Sequence, residues 1–375
     1  MKIVADANLY DIQRAFEGTG ELVLVPGRRL DREHLKGAEA LLVRSVTQVD
    51  AQLLTSSNVR FVATFTSGAD HIDNTYLASR DITFVDAKGS NANAVVDYCF
   101  AALAYCITKK SLSLEDCKIG IIGGGNVGGL FAEKLRRLNV DVRICDPLLQ
   151  RAATASSLEK YCSMDAVGQC DVVSLHVPLT MENDYPTYGL IDAAFLATLP
   201  HSATLINTCR GSVVDEAALL KLLIKRPDLT CIVDVWENEP IPNSSLVGRV
   251  DIATPHIAGY SVEAKRRAIT HVLRRFRKEF DLPGQEEPAY EDSKALKITN
   301  ILKDDPWATV LKLFPLCNFS KKFKMSYAHE NRADVFDRFR QNMVTRREFN
   351  KMKLPYTNLA ETQRSILEAL DMEFY

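Results

Sequence analysis

The sequence predicts an α/β protein with two Rossmann-like, doubly wound parallel-sheet domains and a small C-terminal α+β domain. Two series of short apolar runs alternate with helix-compatible segments, a glycine-rich turn opens the second series, and the composition changes after about residue 285. Alternation of strand-length and helical segments is typical of parallel sheets. The chain has 375 residues, of which 46% are hydrophobic, enough for two or three domains with sizeable cores.

The first series predicts five strands, each followed by a polar stretch: KIVAD, LVLVP, ALLVRS, FVATFTS and ITFVD. A long helix is expected over about Ala92–Lys109, and a second helical run over about Ser261–Phe280 returns the chain to the first unit. We therefore expect one domain at 1–95, completed by 262–285, and a second at 96–261. The second series comprises KIGIIGGG, VDVRICD, CDVVSLHVP, ATLINT, LTCIVDVW and VDIATPH.

The segment FDLPGQEEPAYEDSKA predicts a linker to a third domain at 290–375. From Lys321 to Lys353 there are ten Lys or Arg against four Asp or Glu. Basic stretches with aromatics occur in nucleic-acid-binding proteins. Here the three- and four-residue spacing instead predicts an amphipathic helix packed on another surface, so no nucleic-acid partner is expected. The apolar positions of that helix are Val335, Phe336, Phe339 and Met343.

Composition excludes several classes of protein. A net charge of −2 provides no global attraction to nucleic acid or anionic membrane. No apolar run reaches the roughly 18 residues that a membrane helix needs, and the N-terminus MKIVADANLY predicts a first strand rather than a signal sequence. Nine scattered cysteines without a Cys-x-x-Cys pair indicate reduced thiols in the cytoplasm and no metal site.

The turn KIGIIGGGNVGG contains Gly123-x-Gly125-x-x-Gly128 between an apolar strand and an amphipathic helix. Glycines let the backbone approach a pyrophosphate, and the helix N-terminus presents N–H groups to it. Asp146 ends the next strand, where a carboxylate binds ribose hydroxyls and repels a 2′-phosphate. We therefore predict NAD rather than NADP as the cofactor; a glycine turn without a ligand is the alternative. The turn residues assigned to the cofactor are Gly123, Gly125, Asn126, Val127 and Gly128.

Three later strand ends carry polar side chains suited to 2-hydroxy acid oxidation. Arg210 follows ATLINT, Asp234 and Glu239 follow LTCIVDVW, and His256 follows VDIATPH. A guanidinium can bind a substrate carboxylate through both oxygens. A histidine can take the hydroxyl proton, and a carboxylate can orient that base and favour the imidazolium.

Over about residues 1–285 the chain resembles the D-isomer-specific 2-hydroxyacid dehydrogenase family. The resemblance is carried by NANAVVDY, GIIGGGNVG, NTCRGSVVDE, DVWENEP and PHIAGYS. It implies that Arg210, Glu239 and His256 form the catalytic triad, in a cleft between a substrate domain and an NAD-binding domain. It also implies cofactor contacts from Asp146, Ser174, Thr208, Cys209, Arg210, Asp234 and Gly259, and substrate contacts from Ser45, Thr66 and Tyr260.

The segments LLVRSVTQVD, FVATFTSGADHID and FDRFRQNMVTRREFNKMK resemble members that act on a phosphorylated 2-hydroxy acid. In those members the C-terminal domain forms a homodimer, so we expect the tail aromatics to pack on a second copy. The free basic face, including Arg346 and Arg347, is then a candidate for attracting the phosphorylated substrate. Two alternatives remain: a related dehydrogenase acting on glyoxylate, lactate or 3-phosphoglycerate, and a non-enzymatic NAD-sensing protein of the same fold.

Several other polar residues have ordinary structural explanations. His176, at a strand end, is a competing candidate for the base, whereas His71 is expected to be structural. Cys209 lies beside Arg210, but hydride transfer needs no thiol nucleophile, and free cysteines are commonly small buried side chains. Asp97 and Asp215 are expected to stabilise helix starts or to pair locally.

Overall fold

The computed structural model describes residues 1–154, 158, 160–182, 184–283, 296–298, 305–343, 345–355 and 360–375. They form two compact units, one from the described parts of 1–91 and 262–294 and the other from those of 92–261 and 295–375. Parallel sheets in both units confirm the predicted α/β class. Among the described residues, no helix combines the length and the apolar character needed to cross a bilayer.

The strands are β1 (Lys2–Asp6), β2 (Glu21–Val25), β3 (Ala38–Val43), β4 (Phe61–Thr64), β5 (Thr83–Val85), β6 (Lys118–Ile122), β7 (Asp141–Cys145), β8 (Val172–Leu175), β9 (Thr204–Asn207), β10 (Thr230–Val233), β11 (Ile252–Ala253), β12 (Leu296–Lys297), β13 (Met352–Leu354) and β14 (Glu373–Phe374). The α-helices are α1 (Ile12–Ala15), α2 (Ala51–Leu54), α3 (Asn74–Ser79), α4 (Ala92–Lys110), α5 (Asn126–Arg137), α6 (Pro147–Ala152), α7 (Met164–Gly168), α8 (Ala193–Thr198), α9 (Glu216–Lys225), α10 (Ser244–Arg249), α11 (Val262–Glu279), α12 (Pro306–Leu313), α13 (Leu316–His329), α14 (Arg332–Gln341) and α15 (Glu361–Ala369).

The first unit is a parallel sheet of order β2-β1-β3-β4-β5. The predicted return helix is α11, and its apolar side is buried in the core of this unit. Phe276 on α11 makes edge-on ring contacts with Phe16 at 5.1 Å and Phe61 at 5.4 Å between centroids. The sheet and the return helix therefore share one core, although about 170 residues separate them in sequence (92–261).

The second unit contains a parallel sheet of order β11-β10-β9-β8-β6-β7. The strand order reverses between β6 and β8, and open α/β sheets bind ligands at the carboxyl ends of the strands beside such a switch point. The predicted long helix is α4, which is buried over most of its length because the sheet lies on one side and α12 on another.

The C-terminal segment, residues 296–375 as described, is grouped with the second compact unit. The sequence predicts a separate domain at 290–375, whereas these residues belong to the second compact unit. They combine helices with a short parallel sheet of order β12-β13-β14. Trp307, Val310 and Phe314 share the core that contains α4, which is why no third unit separates. The predicted linker falls mostly on 284–295, outside the described residues.

The aromatic side chains of this segment are buried within their own chain rather than presented to a second copy. Phe323, Tyr327 and Phe336 are each at most 1% exposed, and Phe339 is 9% exposed. They pack with Leu246 and other residues in a core of the second compact unit, mainly through α13 against α10 and β11. The amphipathic pattern correctly predicted a buried face, but the surface that covers this face is intramolecular.

Candidate active site

The glycine turn joins β6 to α5 and can be formed only with glycine at two positions. Gly123 has φ +92°, in the left-handed region that other residues avoid. A Cβ at Gly128 would lie 1.9 Å from the carbonyl oxygen of Gly123, so no side chain fits where the helix starts against the turn. Gly125 is the N-cap residue, followed by Asn126 and Val127 in the first helical turn. The unpaired N–H groups of that turn are suited to phosphate.

Asp146 connects the glycine turn to the end of β7. Its Oδ2 accepts a hydrogen bond from Gly124 N–H at 2.9 Å, and its Oδ1 accepts one from Leu149 N–H at 3.0 Å. These bonds fix the carboxylate at the edge where an adenosine ribose would lie, and each oxygen keeps a second lone pair for a hydroxyl. The glycine turn, the helix N-terminus and this carboxylate together fit a dinucleotide without a 2′-phosphate.

The strand next to β6 on the other side of the switch point is β8, which contains Ser174 and is followed by His176. Ser174 is wholly buried, and its Oγ lies 2.9 Å from His176 Nε2. Thr208 Oγ1 lies 3.5 Å from the other ring nitrogen, Nδ1. Burial lowers the pKa of His176 to about 3, so its ring is a poor proton acceptor. The structure therefore favours His256 over His176 as the base, and it turns the Ser174 hydroxyl toward His176.

Arg210 follows β9 in a turn that is shaped by a side-chain amide. Asn207 donates to the carbonyl oxygen of Arg210 at 3.1 Å and accepts from Cys209 N–H at 3.1 Å. The Arg210 guanidinium donates through Nη1 to the carbonyl oxygen of Cys209 at 2.7 Å, which orients the fork. Burial raises the pKa of Cys209 to about 11, so this thiol is protonated and unsuited to attack as a nucleophile.

Gly211 brings the Arg210 turn into contact with the loop after β10. A Cβ at Gly211 would lie 1.9 Å from the carbonyl carbon of Trp236 and 2.2 Å from the nitrogen of Glu237. Two backbones can approach this closely only without a side chain between them. The spacing between Arg210 and the loop that carries Glu239 therefore depends on this glycine.

Glu239 and His256 form a hydrogen-bonded pair at the ends of β10 and β11. His256 Nδ1 lies 2.7 Å from Glu239 Oε2, and Glu239 Oε1 accepts from Trp236 N–H at 2.9 Å. Burial raises the pKa of Glu239, but the charge and hydrogen bond of His256, with smaller effects from Arg340 and Trp236, outweigh burial and hold it below its usual value. An ionised Glu239 requires the ring proton on Nδ1, which leaves Nε2 as the proton acceptor. The His256 side chain is 30% exposed and therefore reachable.

The backbone at His256 is held in an uncommon conformation by Asp234. His256 has φ +56°, which few residues other than glycine adopt. The wholly buried Asp234 carboxylate accepts from Thr254 Oγ1 at 2.5 Å, Ile257 N–H at 2.8 Å and Ala258 N–H at 2.9 Å. Such conformations persist where the surroundings over-determine them. Asp234, which the resemblance assigns to the cofactor, thus directs its carboxylate to the His256 loop.

The first unit contains two of the predicted substrate residues, beyond the carboxyl ends of adjacent strands. Ser45 follows β3, next to Arg44, whose Nε donates to Asp6 at 2.7 Å. Thr66 follows β4, and its Oγ1 donates to Gly68 O at 2.8 Å. These strands are neighbours in the sheet, so Ser45 and Thr66 lie at the same edge.

The remaining predictions about polar residues have mixed outcomes. His71 is buried with Nε2 2.9 Å from Thr64 Oγ1, so its role is structural. Asp215 caps α9 through Ala218 N–H. Asp97 does not cap its own helix, because its carboxylate accepts from Phe349 N–H, 252 residues along the chain, at 2.8 Å.

Arg346 donates hydrogen bonds to backbone carbonyl oxygens and does not form part of an exposed basic face. Its guanidinium donates to the carbonyl oxygens of Ala258 at 2.9 Å, Tyr260 at 3.1 Å and Ala94 at 2.6 Å. The side chain is only 8% exposed and lies over the ring of Phe314. This corrects the expectation that Arg346 reaches a substrate phosphate: the residue fastens the segment that follows His256 to α4.

Sequence reasoning missed the contribution of Arg340. This residue of α14 donates two hydrogen bonds to the phenolic oxygen of Tyr260, at 3.1 Å from Nε and 2.8 Å from Nη2. The only sign in the sequence was that this long polar side chain directly follows Phe339, a position predicted to be buried. Arg340 and Tyr260 are 80 positions apart, and no motif in the sequence pairs them.

Comparisons with known proteins agree with this geometry. Residues 105–258 match the family model described as D-isomer specific 2-hydroxyacid dehydrogenase, NAD binding domain. A protein of Edwardsiella ictaluri named erythronate-4-phosphate dehydrogenase is 38% identical, over 100% of this chain and 99% of its own. One of the same name from Stutzerimonas stutzeri is 44% identical, over 72% of this chain and 71% of its own.

Two solved structures with related folds each cover about three quarters of the chain. The NAD+-bound 3-phosphoglycerate dehydrogenase of Entamoeba histolytica superposes with a TM-score of 0.63 at 24% identity, covering 78% of this chain and 99% of its own. The D-lactate dehydrogenase of Aquifex aeolicus with NAD and lactic acid gives 0.64 at 22% identity, covering 75% of this chain and 96% of its own. These likenesses support the two-unit α/β fold.

Proposed function

The chain belongs to the erythronate-4-phosphate dehydrogenase family of D-isomer-specific 2-hydroxyacid dehydrogenases, and from this premise we propose its reaction. It oxidises 4-phospho-D-erythronate to 2-oxo-3-hydroxy-4-phosphobutanoate with NAD, in pyridoxal 5′-phosphate biosynthesis. The observation that carries the proposal is the Glu239–His256 pair, beside the Arg210 turn in a unit with a dinucleotide-binding glycine turn. Full-length relatives of this name support the substrate, whereas the 3-phosphoglycerate and lactate enzymes match only 75–78% of the chain.

The residues fit the cofactor and divide its binding among several loops. Gly123, Gly125, Asn126, Val127 and Gly128 would hold the pyrophosphate, and Asp146 the ribose hydroxyls. When bound, NAD supplies the acceptor for the hydride that leaves C2 of the substrate. Thr208, Cys209, Arg210 and Gly259 are proposed to line the same site. Ser174 and Asp234 are proposed to position the residues that line the cofactor site, because both side chains are wholly buried.

The chain's own residues supply binding and proton transfer. Arg210 binds the substrate carboxylate with its guanidinium fork. Nε2 of His256 takes the proton of the C2 hydroxyl as the C2–H bond breaks, and the Glu239 carboxylate stabilises the resulting imidazolium through Nδ1–H. Ser45, Thr66 and Tyr260 are proposed to bind the remaining substrate hydroxyl and phosphate groups.

A substrate panel tests this proposal directly. The protein is mixed with NAD and, in parallel, with 4-phospho-D-erythronate, unphosphorylated erythronate, 3-phospho-D-glycerate or D-lactate, and nicotinamide absorbance is followed. We expect the highest kcat/KM for 4-phospho-D-erythronate. A higher value for 3-phospho-D-glycerate or D-lactate would assign a different dehydrogenase activity. NAD binding without turnover of any acid would assign an NAD-sensing role.

We also propose that the protein is a cytoplasmic homodimer that associates through the C-terminal segment. All nine cysteines are free thiols and seven of them are buried, which suits a reducing compartment. The buried aromatics cannot form the interface, but Leu296, Met325 and Tyr375 in the same segment are 45%, 59% and 44% exposed. Sedimentation of the wild type and of Met325→Asp tests the association. A wild type that sediments as a monomer overturns it.

A further inference from the structure

We propose that Arg340 is a positioning residue of the active site, which fixes the phenolic oxygen of Tyr260 for substrate binding. The proposal rests on the proposed function, since it assigns a role within that reaction. It places a residue of the C-terminal segment next to a group that is proposed to contact substrate in the same chain. The Arg340 side chain is partly buried and projects from a packed helix.

The contact between Arg340 and Tyr260 fixes the position of the phenolic oxygen. This oxygen accepts from Nε at 3.1 Å and from Nη2 at 2.8 Å, so two donors of one planar guanidinium converge on one atom. Two such bonds restrict both the distance and the direction of the tyrosine side chain. The hydroxyl that is proposed to contact the substrate is therefore held in one place.

The surroundings of Arg340 keep this arrangement in place. The guanidinium lies 5.4 Å from the Tyr260 ring centroid and 5.7 Å from that of Phe336, one turn earlier on α14. Val335 and Phe336 are wholly buried, and Asn331 caps the helix by accepting from the N–H groups of its first turn. The side chain is thus held by a packed helix rather than by a loop.

Arg340 also acts on Glu239 through its charge. Its guanidinium is among the groups that hold the pKa of Glu239 below its usual value against the effect of burial, after the charge and hydrogen bond of His256. Arg340 therefore favours the ionised form of the carboxylate that is hydrogen-bonded to His256. The same loop is held from α9, where Glu216 Oε1 accepts from Glu237 N–H at 2.8 Å.

The test compares Arg340→Gln with Arg338→Gln in the full-length protein. Arg338 lies on the same helix with a half-exposed side chain that pairs with Glu330 at 2.7 Å, so it controls for charge and helix composition. We expect KM for 4-phospho-D-erythronate to rise several-fold in Arg340→Gln while kcat changes less, because the phenolic oxygen of Tyr260 loses both donors that hold it. Both constants of Arg338→Gln should equal those of the wild type, and a wild-type KM in Arg340→Gln would overturn the inference.

Two further variants separate the charge from the hydrogen bonds. Arg340→Lys keeps the charge but cannot present two converging donors, so its KM should also rise several-fold. Tyr260→Phe removes the phenolic oxygen, so adding Arg340→Gln to Tyr260→Phe should raise KM no further. If Arg340→Gln unfolds, as judged by its thermal transition, Arg340→Lys still decides whether the fork contributes to substrate binding.

The inference and the proposed function fail in distinguishable ways. If the effects of Tyr260→Phe and Arg340→Gln on KM add in full, the two residues do not act together and the inference is overturned, although the wild type still oxidises 4-phospho-D-erythronate. A wild type that oxidises none of the acids in the panel overturns the proposed function instead. Calorimetric titration with 4-phospho-D-erythronate gives a readout without turnover, in which Arg340→Gln should bind several-fold more weakly than Arg338→Gln.

Discussion

Substitution of Gly211 by alanine should separate the two loops that carry Arg210 and Glu239. The added Cβ would lie 1.9 Å from the carbonyl carbon of Trp236, whereas carbon atoms in contact are normally about 3.5 Å apart. One backbone must therefore move by roughly 1.5 Å. Misplacement of catalytic groups by about 1 Å is enough to lower a rate by about 100-fold. We expect kcat/KM to fall by about 100-fold or more, which is about 2.7 kcal/mol of lost transition-state stabilisation.

The same substitution should lower the free energy of unfolding by about 1–3 kcal/mol, the usual cost of overpacking a well-packed site. Gly248→Ala is the matched control, because it adds the same methyl group within α10 of the same unit and meets nothing within 4 Å. Alanine in a helix should raise the free energy of unfolding by about 0.5–1 kcal/mol and leave kcat/KM unchanged. The assays are urea unfolding and NADH formation. A Gly211→Ala enzyme with the kcat/KM of Gly248→Ala would refute the reasoning.

His256→Ala should lower kcat by about 100-fold or more at the pH optimum, since a positioned base contributes about that much; a variant with wild-type kcat would remove His256 from proton transfer. Arg210→Lys should raise KM despite its conserved charge, because an ammonium cannot form the bidentate contact, and unchanged constants would place Arg210 outside the site. Asp146→Ala should narrow the preference for NAD over NADP, measured as the ratio of kcat/KM values, whereas equal use of both by the wild type would contradict the role of the carboxylate. Burial lowers the pKa of His176 to about 3, so its contribution to stability is complete above the ordinary value near 6.5 and is lost as pH falls toward 3. His176→Asn should therefore lose less stability than the wild type between pH 7 and pH 5, by about 2 kcal/mol in urea titrations, and an identical loss would argue against a neutral buried ring.

Local patterns were sufficient to predict most of the elements and the proximity of Glu239 and His256. Each strand that adjoins the site is followed within a few residues by its functional side chain, as Arg210 follows β9. Carboxyl ends of neighbouring parallel strands meet at one edge, so Glu239 and His256 could be expected together before any coordinates were known. Gly123 and Gly128 are predictable for the same reason, because their spacing encodes a specific backbone approach.

Contacts between distant segments were not predictable in this way. The spacing of Val335, Phe336 and Phe339 indicates that one face of the helix is buried. The spacing does not identify the surface that covers this face, so a second copy of the chain was expected where the same chain in fact provides it. Arg340 and Arg346 donate hydrogen bonds to a loop about 80 residues earlier in the sequence. Because other basic residues surround them in sequence, a solvent-exposed basic face was the simpler interpretation. Only the folded chain shows that these two guanidinium groups bind to that loop.

The bonds from Arg346 to the carbonyl oxygens of Ala258 and Tyr260 join the His256 loop to a residue that is translated about 90 residues later than His256. Translation produces the glycine turn, Arg210, Glu239 and His256 first. A nascent chain therefore carries every proposed catalytic group while the His256 loop still lacks its contact with Arg346. A polypeptide that is terminated between His256 and Arg346 has these side chains without the hydrogen bonds that connect their loop to α4.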